Sequence, residues 1–228
     1  MKHKGKARQA GFRLIGWTLV FLVAVLGGAI AAVLIGSFVA AASGVLIGLW
    51  VVFALFSLYF FRDPEPVVPS GAGLVLSPAH GTVDVIDEIE ETEFVGGRCR
   101  RVSIFLSVFN VHVQRAPITG TVAYLEHHSG EFLNAMNLES AARNENVMVG
   151  LDSGEPGSPK IGVRLIAGLI ARRIIPWLQP GETVQRGERI SLIQFGSRCD
   201  VYLPPSARVQ VQLGNKVKGG QTILATLA

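Results

Sequence analysis

The chain has 228 residues, of which 49% are hydrophobic and only 17% are charged, with a formal net charge of +4. Five of its 21 basic residues lie within the first 13 positions, so the other 16 nearly balance the 17 acidic residues. This distribution excludes a basic globule built for nucleic acid, and no nucleic-acid partner is expected. The two cysteines, Cys99 and Cys199, give neither a disulfide framework nor a metal-ligand spacing.

The first long segment, residues 14–61, contains no charged side chain. A membrane helix needs about 20 apolar residues, so this run of 48 predicts two helices, Leu14–Ile35 and Phe38–Phe60, with a turn at Gly36-Ser37. A loop that only dips into the bilayer is the alternative. A cleaved signal peptide fits less well, because its apolar core has about 7–15 residues.

The basic segment before this run sets the expected orientation. Lysine and arginine beside a membrane helix favour the cytoplasmic face. We therefore expect a basic cytoplasmic tail (residues 1–13), a membrane hairpin (residues 14–61) and, from residue 62, a domain on the cytoplasmic side of the cell membrane. The boundary falls at Phe61-Arg62-Asp63-Pro64-Glu65-Pro66, where charges and two prolines end the helical pattern.

The remaining chain, residues 62–228, alternates apolar and polar residues in short runs that glycine and proline interrupt. This period of two predicts β-strands. The clearest runs are Gly81–Ile86, Arg101–Leu106, Gly120–Leu125, Arg189–Phe195 and Arg208–Leu213. One stretch, Ile161–Trp177, is instead interpreted as a helix. The predicted fold is mostly β (α+β), with one or two helices.

A weak internal repeat supports this fold class. Gly181-x-x-Val184-x-x-Gly187-x-x-Ile190 recurs 33 residues later as Gly214-x-x-Val217-x-x-Gly220-x-x-Ile223. Each copy is typical of a turn that leads into a strand. Two such units predict a β domain made of similar hairpin halves, and the pattern is similar to the barrel-sandwich hybrid of biotinyl and lipoyl carrier domains.

Familiar cofactor motifs are absent from the sequence: there is no glycine-rich nucleotide loop and no His-Glu-x-x-His metal motif. No metal site is predicted. The adjacent pair His127-His128 is not expected to bind a metal, because neighbouring side chains of a strand point to opposite faces.

The most informative segment is Ile190–Pro204, which is typical of two strands separated by a break at Gly196-Ser197. Alone, a Gly-Ser pair indicates only a turn, since glycine tolerates positive φ. However, Phe195-Gly196-Ser197-Arg198, followed by Asp200 and Tyr202-Leu203-Pro204, resembles the cleavage site of the short, bacterial and archaeal-type phosphatidylserine decarboxylases.

Further motifs match that family in the same order and cover nearly everything from Phe60 to the C-terminus. They are Phe60-Phe61-Arg62-Asp63-Pro64, Ser77-Pro78-Ala79-x-Gly81, Ser103–Ser107, Asn110–Pro117, Arg143-Asn144-Glu145-Asn146, Ile166-Ala167-Gly168 with Ala171–Ile174, and Gly214–Gly220. Each motif alone is weak, whereas their order and spacing together are specific.

The resemblance implies a proenzyme that cuts its own Gly196-Ser197 bond. The products would be a large chain, residues 1–196, and a small chain, residues 197–228, which stay associated. Ser197 would become a covalent pyruvoyl group, which forms a Schiff base with the serine amine of phosphatidylserine and accepts electrons as carbon dioxide leaves. The product would be phosphatidylethanolamine. The sequence leaves the oligomeric state open, including a homo-oligomer.

The resemblance also suggests which other residues act. His112 is a candidate for proton transfer, because imidazole titrates near neutral pH, and Arg115 and Arg172 are candidates for substrate binding. His80 stands where the family usually has an aspartate thought to assist self-cleavage. It either serves as the base or marks a departure that favours the alternative function, an uncleaved and non-catalytic lipid-binding homologue. A carrier module is disfavoured, because Ser197 and not a lysine occupies the break.

Overall fold

A computed structural model describes residues 5–32, 37–134, 140–154, 160–169, 173–194 and 196–227. It divides the chain into two compact units, Gly5–Asp63 and a second that includes Pro64–Ala228. The change from one unit to the next follows Asp63, inside the proline-containing segment. The predicted fold class, a mostly β domain preceded by a hairpin of two apolar helices, is confirmed.

The first unit consists of helices α1 (Lys6–Ala32) and α2 (Ser37–Phe60). Both are long and apolar enough to cross a membrane, over Lys6–Ile30 and Ala41–Phe60. Helix α1 begins eight residues before the predicted Leu14, since the basic segment is compatible with a helix. The helices are antiparallel neighbours: a Cβ added to Gly11 would lie 3.1 Å from Cβ of Phe61. Of the predicted turn, Gly36 lies outside the described residues.

Helix α2 ends where the charges begin. The guanidinium of Arg62 donates a hydrogen bond to the carbonyl oxygen of Tyr59 at 2.7 Å and stacks over the Tyr59 ring at 3.9 Å. An arginine in this position satisfies one of the carbonyl groups that a helix end leaves without an internal partner. The prolines that follow cannot continue the helix.

The second unit is built almost entirely of antiparallel strands, with one short helix, α3 (Ser140–Arg143). The strands are β1 (Leu74–Leu76), β2 (Gly81–Glu91), β3 (Gly97–Leu106), β4 (Val113–Arg115), β5 (Gly120–His128), β6 (Asn146–Asp152), β7 (Ile161–Ala167), β8 (Ile174–Pro176), β9 (Thr183–Val184), β10 (Arg189–Ile193), β11 (Ser197–Leu203), β12 (Arg208–Val209), β13 (Lys216–Val217) and β14 (Ile223–Thr226).

These strands form three sheets. The largest has eight strands in the order β13-β2-β3-β11-β7-β6-β5-β9 and curls into a half-barrel. Two three-stranded sheets, β1-β14-β12 and β4-β10-β8, complete the unit. Strand β11 lies near the middle of the large sheet, paired with β3 on one side and β7 on the other. The main core includes Cys199, Val201 and Leu203 of this strand.

The internal repeat is a structural repeat. Its four glycines, Gly181, Gly187, Gly214 and Gly220, all have left-handed φ values, between 72° and 84°. The amides of the first glycine of each copy donate to Val122 at 2.8 Å and Val83 at 2.7 Å, and those of the second donate to Ala116 and Ser77, both at 2.8 Å. The acceptors in each pair are 39 residues apart, so the domain contains two similar halves, as predicted.

The predicted helix Ile161–Trp177 is wrong. Residues 161–167 form β7 and residues 174–176 form β8. Strand β7 lies between β11 and β6 and is buried along nearly its whole length, so its apolar run lacks the alternation of a half-exposed strand. Gly162 fits a strand at this place, because a Cβ there would lie 2.8 Å from Cε of Met148 and 2.9 Å from Cδ2 of Tyr202.

Several predicted strands also differ in length. Strands β2, β3 and β5 are longer than predicted, and β10 ends at Ile193. The predicted strand Arg208–Leu213 is only Arg208–Val209. It ends early because a turn follows, in which the Gln212 amide donates to Oδ1 of Asn215 at 3.0 Å.

Candidate active site

The Gly196-Ser197 bond lies at a corner between two sheets. Strand β10 before it belongs to the sheet β4-β10-β8, and β11 after it belongs to the eight-stranded sheet. Gly196 makes the corner with φ = +78°, a conformation that L side chains rarely adopt. A Cβ there would meet only Cγ1 of Val108, at 3.8 Å, so the backbone angle rather than space requires glycine.

Ser197 is the first residue of β11 and is fully buried. Its Cα pairs with Leu106 of β3 and Ala167 of β7. Side chains alternate along a strand, so Ser197 points to the same face as Cys199 and Val201, which belong to the main core. Among the residues that the structure describes, its Oγ has no hydrogen-bond partner. A buried hydroxyl without a partner is uncommon and indicates strain or a chemical role.

His112 is fully buried beside this corner. Its Nδ1 lies 2.9 Å from the carbonyl oxygen of Asn110, and its Nε2 accepts a hydrogen bond from the amide of Gly196 at 3.2 Å. A carbonyl oxygen can only accept and an amide can only donate. The two contacts therefore assign the neutral tautomer that carries its proton on Nδ1. The Nε2 lone pair is directed to the residue that precedes Ser197.

A tight turn holds His112 in place. The Asn110 amide donates to the carbonyl oxygen of Ser107 at 2.9 Å. In return, Oδ1 of Asn110 accepts hydrogen bonds from the Ser107 amide at 2.9 Å and the Ser107 hydroxyl at 3.0 Å. Asn110 thus closes the turn with its side chain and orients the imidazole with its carbonyl group. The sequence analysis quoted Asn110 as part of a motif but missed this role.

His80 lies at the same end of the large sheet, with a different hydrogen-bond pattern. Thr82 and Arg198 lie on either side of Phe105, hence about 10 Å apart at the usual strand spacing. His80 lies just before this pairing begins. It is half-buried, and its Nδ1 accepts a hydrogen bond from the amide of Gly219 at 3.1 Å. In neutral His80 the proton is therefore on Nε2, the opposite of His112.

The residue after Ser197 fixes the start of β11. Arg198 is 1% exposed, and its guanidinium binds both carboxylate oxygens of Asp84, at 2.9 and 2.5 Å. Asp84 lies at the irregularity between Val83 and Val85 of β2. The pair spans β3, and a two-pronged arginine–carboxylate contact is strong and directional. Sequence reasoning missed it, because nothing in the spacing indicates that residues 84 and 198 meet.

Asp200 is buried on the face of β11 opposite to Ser197. Burial raises the pKa of its carboxyl group above the ordinary value. A hydrogen bond with Ser103 and the nearby guanidinium groups of Arg198, Arg101 and Arg164 act in the opposite direction. Asp200 therefore belongs to the polar support behind the strand rather than to the space around Ser197.

The two arginines predicted to bind substrate have different outcomes. Arg115 is buried, and its guanidinium donates to the carbonyl oxygens of Pro64 at 2.9 Å and Gly187 at 3.2 Å. These contacts favour a role in fixing the segment at the start of the domain, and a role in substrate binding stays a prediction. Arg172 lies outside the described residues.

The geometry thus places Gly196, Ser197 and His112 together, and comparison with known proteins identifies the family. A sequence profile described as phosphatidylserine decarboxylase matches residues 53–225. The chain belongs to the phosphatidylserine decarboxylase family. The resemblance indicated by the sequence motifs is therefore confirmed, as is the prediction that the chain is an enzyme of this family.

Individual relatives support the assignment over most of the chain. A phosphatidylserine decarboxylase proenzyme from Desulfotalea psychrophila is 45% identical over 174 residues, which cover 75% of this chain and 79% of the relative. The protein of that name from Symbiobacterium thermophilum is 44% identical over 213 residues, covering 93% and 94%. That from Pelobacter propionicus is 43% identical over 192 residues, covering 81% and 84%. The family match includes residues 80, 112, 196 and 197.

Proposed function

We propose that this chain cuts its own Gly196-Ser197 bond, converts Ser197 into a pyruvoyl group and decarboxylates phosphatidylserine to phosphatidylethanolamine. The observation that carries the proposal is the corner itself. A buried hydroxyl without a described partner follows a left-handed glycine whose amide binds a histidine with a lone pair on that side. The names of the family's members supply the substrate.

The first step uses the Ser197 hydroxyl as an internal nucleophile. Its Oγ attacks the carbonyl carbon of Gly196, the amide C–N bond breaks, and the chain is held by an ester instead. Loss of the Ser197 α-proton then expels the Gly196 carboxylate and leaves a dehydroalanine at residue 197. Addition of water to this end releases ammonia and leaves a pyruvoyl group. Because nucleophile and carbonyl are covalent neighbours, the protein needs only to orient them and to move protons.

His112 is the better candidate for the base in these steps. Its Nε2 lone pair is directed to Gly196, while Asn110 holds the proton on Nδ1. His80 uses its Nδ1 lone pair to accept the Gly219 amide, so its Nε2 carries a proton and acts as a donor. His80 could become a base at Nε2 only by giving up that hydrogen bond. We therefore assign proton abstraction to His112 and a supporting role to His80.

The site around Ser197 fits a pyruvoyl group. Ser197 faces the main core, and its oxygen is buried without a described partner, so a small group there can be shielded from water. Once formed, the pyruvoyl group supplies a conjugated carbonyl that takes up the substrate amine and withdraws electrons as carbon dioxide leaves. His112, at Nε2, is placed to return a proton to the substrate carbon.

The two products of cleavage are expected to stay together. Strand β11, the first of the small chain (residues 197–228), is paired along seven residues with β3 and along six with β7, both from the large chain (residues 1–196). The later strands β13 and β14 pair with β2 and β1 of the large chain. The cut separates β10 from β11 at a corner and interrupts no strand pairing.

The helices support an active domain on the cytoplasmic side of the cell membrane. Lys6, Arg8 and Arg13 begin α1, and the close approach of Gly11 to Phe61 places the start of α1 beside the end of α2. Basic residues favour the cytoplasmic face. The chain then leaves the hairpin on the side where it entered, and the substrate is a component of the same bilayer.

Intact-mass analysis of the purified protein tests the proposal directly. We expect two chains, with residue 197 blocked as a pyruvoyl group, and carbon dioxide release from phosphatidylserine. Ser197→Ala should abolish both, whereas the exposed control Ser153→Ala should change neither. A single uncut chain of 24.4 kDa that binds phosphatidylserine without decarboxylating it would overturn the proposal and support the non-catalytic lipid-binding alternative.

A further inference from the structure

Two large apolar side chains are exposed beside the buried Ser197. Phe109 is 65% exposed and Leu169 is 60% exposed. Phe109 lies three residues beyond Leu106, the end of β3, and Leu169 lies two residues beyond Ala167, the end of β7. Leu106 and Ala167 are the two Cα partners of Ser197. The two apolar residues therefore leave the sheet at the same end, one on each side of Ser197.

The turn that carries Phe109 fixes its backbone. Asn110 closes it with one main-chain and two side-chain hydrogen bonds to Ser107. A large aromatic ring on such a turn is held in an exposed position by the fold, and exposed apolar groups of this kind commonly mark contact surfaces. The same Asn110 orients His112, so the turn joins a surface position to the proposed base.

A basic residue accompanies the two apolar ones. Arg173 is exposed, and its carbonyl oxygen accepts the amide of Gln194 at 3.2 Å, two residues before Gly196. Arginine beside an apolar tip suits the surface of a bilayer with anionic head groups. A protein partner is less well matched, because two separate apolar tips and a flanking cation present no continuous groove.

We infer that Phe109 and Leu169 insert into the surface of a bilayer that contains anionic phospholipid, and so bring the mouth of the Ser197 site to the lipid head groups. The membrane helices keep the domain near a bilayer but do not bring this particular surface into contact with it. The inference rests on the proposed function for the identity of the head group that reaches Ser197. The contact with lipid is a separate property and can be measured without catalysis.

Site-directed labelling of the full chain tests the contact. A polarity-sensitive fluorophore is attached to Phe109→Cys or Leu169→Cys, since the native Cys99 and Cys199 are both buried. The protein is placed in phosphatidylcholine vesicles that contain phosphatidylserine, with brominated lipid as quencher. Thr92→Cys is the matched control, because Thr92 is exposed in the turn between β2 and β3, at the opposite end of β3 from Phe109.

We expect a blue shift and strong quenching at residues 109 and 169 and neither at residue 92. Equal spectra at all three positions would overturn the inference. The labelling is repeated with Ser197→Ala present, so the result does not depend on cleavage or decarboxylation. Loss of activity with intact quenching would then count against the proposed function alone.

A kinetic comparison gives a second readout. The double variant Phe109→Ser with Leu169→Ser should lower kcat/KM about tenfold for phosphatidylserine in vesicles, mainly through KM. With short-chain phosphatidylserine dissolved as monomers, the same variant should match the unsubstituted protein. Equal losses on both substrates would show a defect in folding or chemistry and would overturn insertion at these residues.

Discussion

The two halves of the repeat differ at one informative position in otherwise matching turns. In the first copy the amide of Arg186 donates to Oγ1 of Thr119 at 3.1 Å, and in the second the amide of Gly219 donates to Nδ1 of His80 at 3.1 Å. Arg186 and Gly219 are 33 residues apart, and Thr119 and His80 are 39 apart. These are the offsets found for the glycine hydrogen bonds of the same turns.

His80 therefore occupies a position whose counterpart does structural work with a simple hydroxyl. The turn needs a hydrogen-bond acceptor there, which threonine, histidine or the aspartate usual in the family can each supply. Only the half that contains His80 lies beside Ser197, so a catalytic role is not excluded by the comparison. The comparison does show that histidine at this position preserves the turn, and it leaves His112 as the group that contacts Gly196.

The largest effect is expected from His112→Gln. Glutamine can still donate or accept a hydrogen bond but cannot take up a proton, so cleavage should slow by about 10²–10⁴-fold, the usual contribution of a general base. The rate is measured as the fraction of newly synthesised chain that is cut over time. His127→Gln, at a histidine that is 53% exposed, is the control. Normal cleavage in His112→Gln would return the base to His80.

A smaller effect is expected from alanine at Gly196, compared with alanine at Gly214. Both glycines have positive φ, 78° and 84°, and neither has an atom closer than 3.8 Å to an added Cβ. Each substitution should destabilise the fold by about 1–2 kcal/mol through backbone strain. Only Gly196→Ala moves the reacting carbonyl, so it alone should slow cleavage, by about tenfold. Slow cleavage in both variants would indicate a general folding defect.

Much of this architecture could be predicted from the sequence, because it depends on local patterns. The uncharged run predicted the hairpin, and the spacing of Gly181 and Gly187, repeated at Gly214 and Gly220, predicted the two halves. Strand β7 was mistaken for a helix because it is buried in the middle of a sheet, where the alternation of a half-exposed strand disappears.

The site could be predicted only in part. The pair Gly196-Ser197 and His112 were found through motifs that lie in order along the chain. The contact between Arg198 and Asp84 joins residues that are 114 positions apart, and no local pattern carries that information. Which nitrogen of each histidine carries the proton depends on backbone groups of Asn110, Gly196 and Gly219, whose positions only the folded chain defines.

A matched pair of substitutions tests the comparison of the two turns. Thr119→Val and His80→Phe each remove the acceptor of one turn amide, and each should lower the free energy of unfolding by about 1 kcal/mol. The loss at His80 should be the larger, because Gly219 is buried. Both variants should still cut themselves at near-normal rates. If His80→Phe blocks cleavage while Thr119→Val does not, His80 is part of the chemistry.

The smallest effect at neutral pH is expected where the halves meet, at Asp200→Asn. Asp200 of β11 pairs with Arg164 of β7, and these strands are the central pair of the large sheet. Burial raises the pKa of Asp200 above 3.8, so the folded chain holds this proton more tightly than the unfolded chain. Its contribution to stability is therefore greatest at low pH and decreases as pH rises from about 4 through the raised pKa.

Asparagine has the same shape and no charge, so it removes this pH dependence while weakening the contacts to the surrounding arginines. At pH 7 the two effects oppose each other, and the net change should stay within about 1 kcal/mol. Thermal unfolding in detergent, followed from pH 4 to pH 7, should show Asp200→Asn gaining stability relative to the unsubstituted protein as pH rises. A relative loss over that range would mean that the arginines outweigh burial, and that the centre of the sheet requires the carboxylate to be charged.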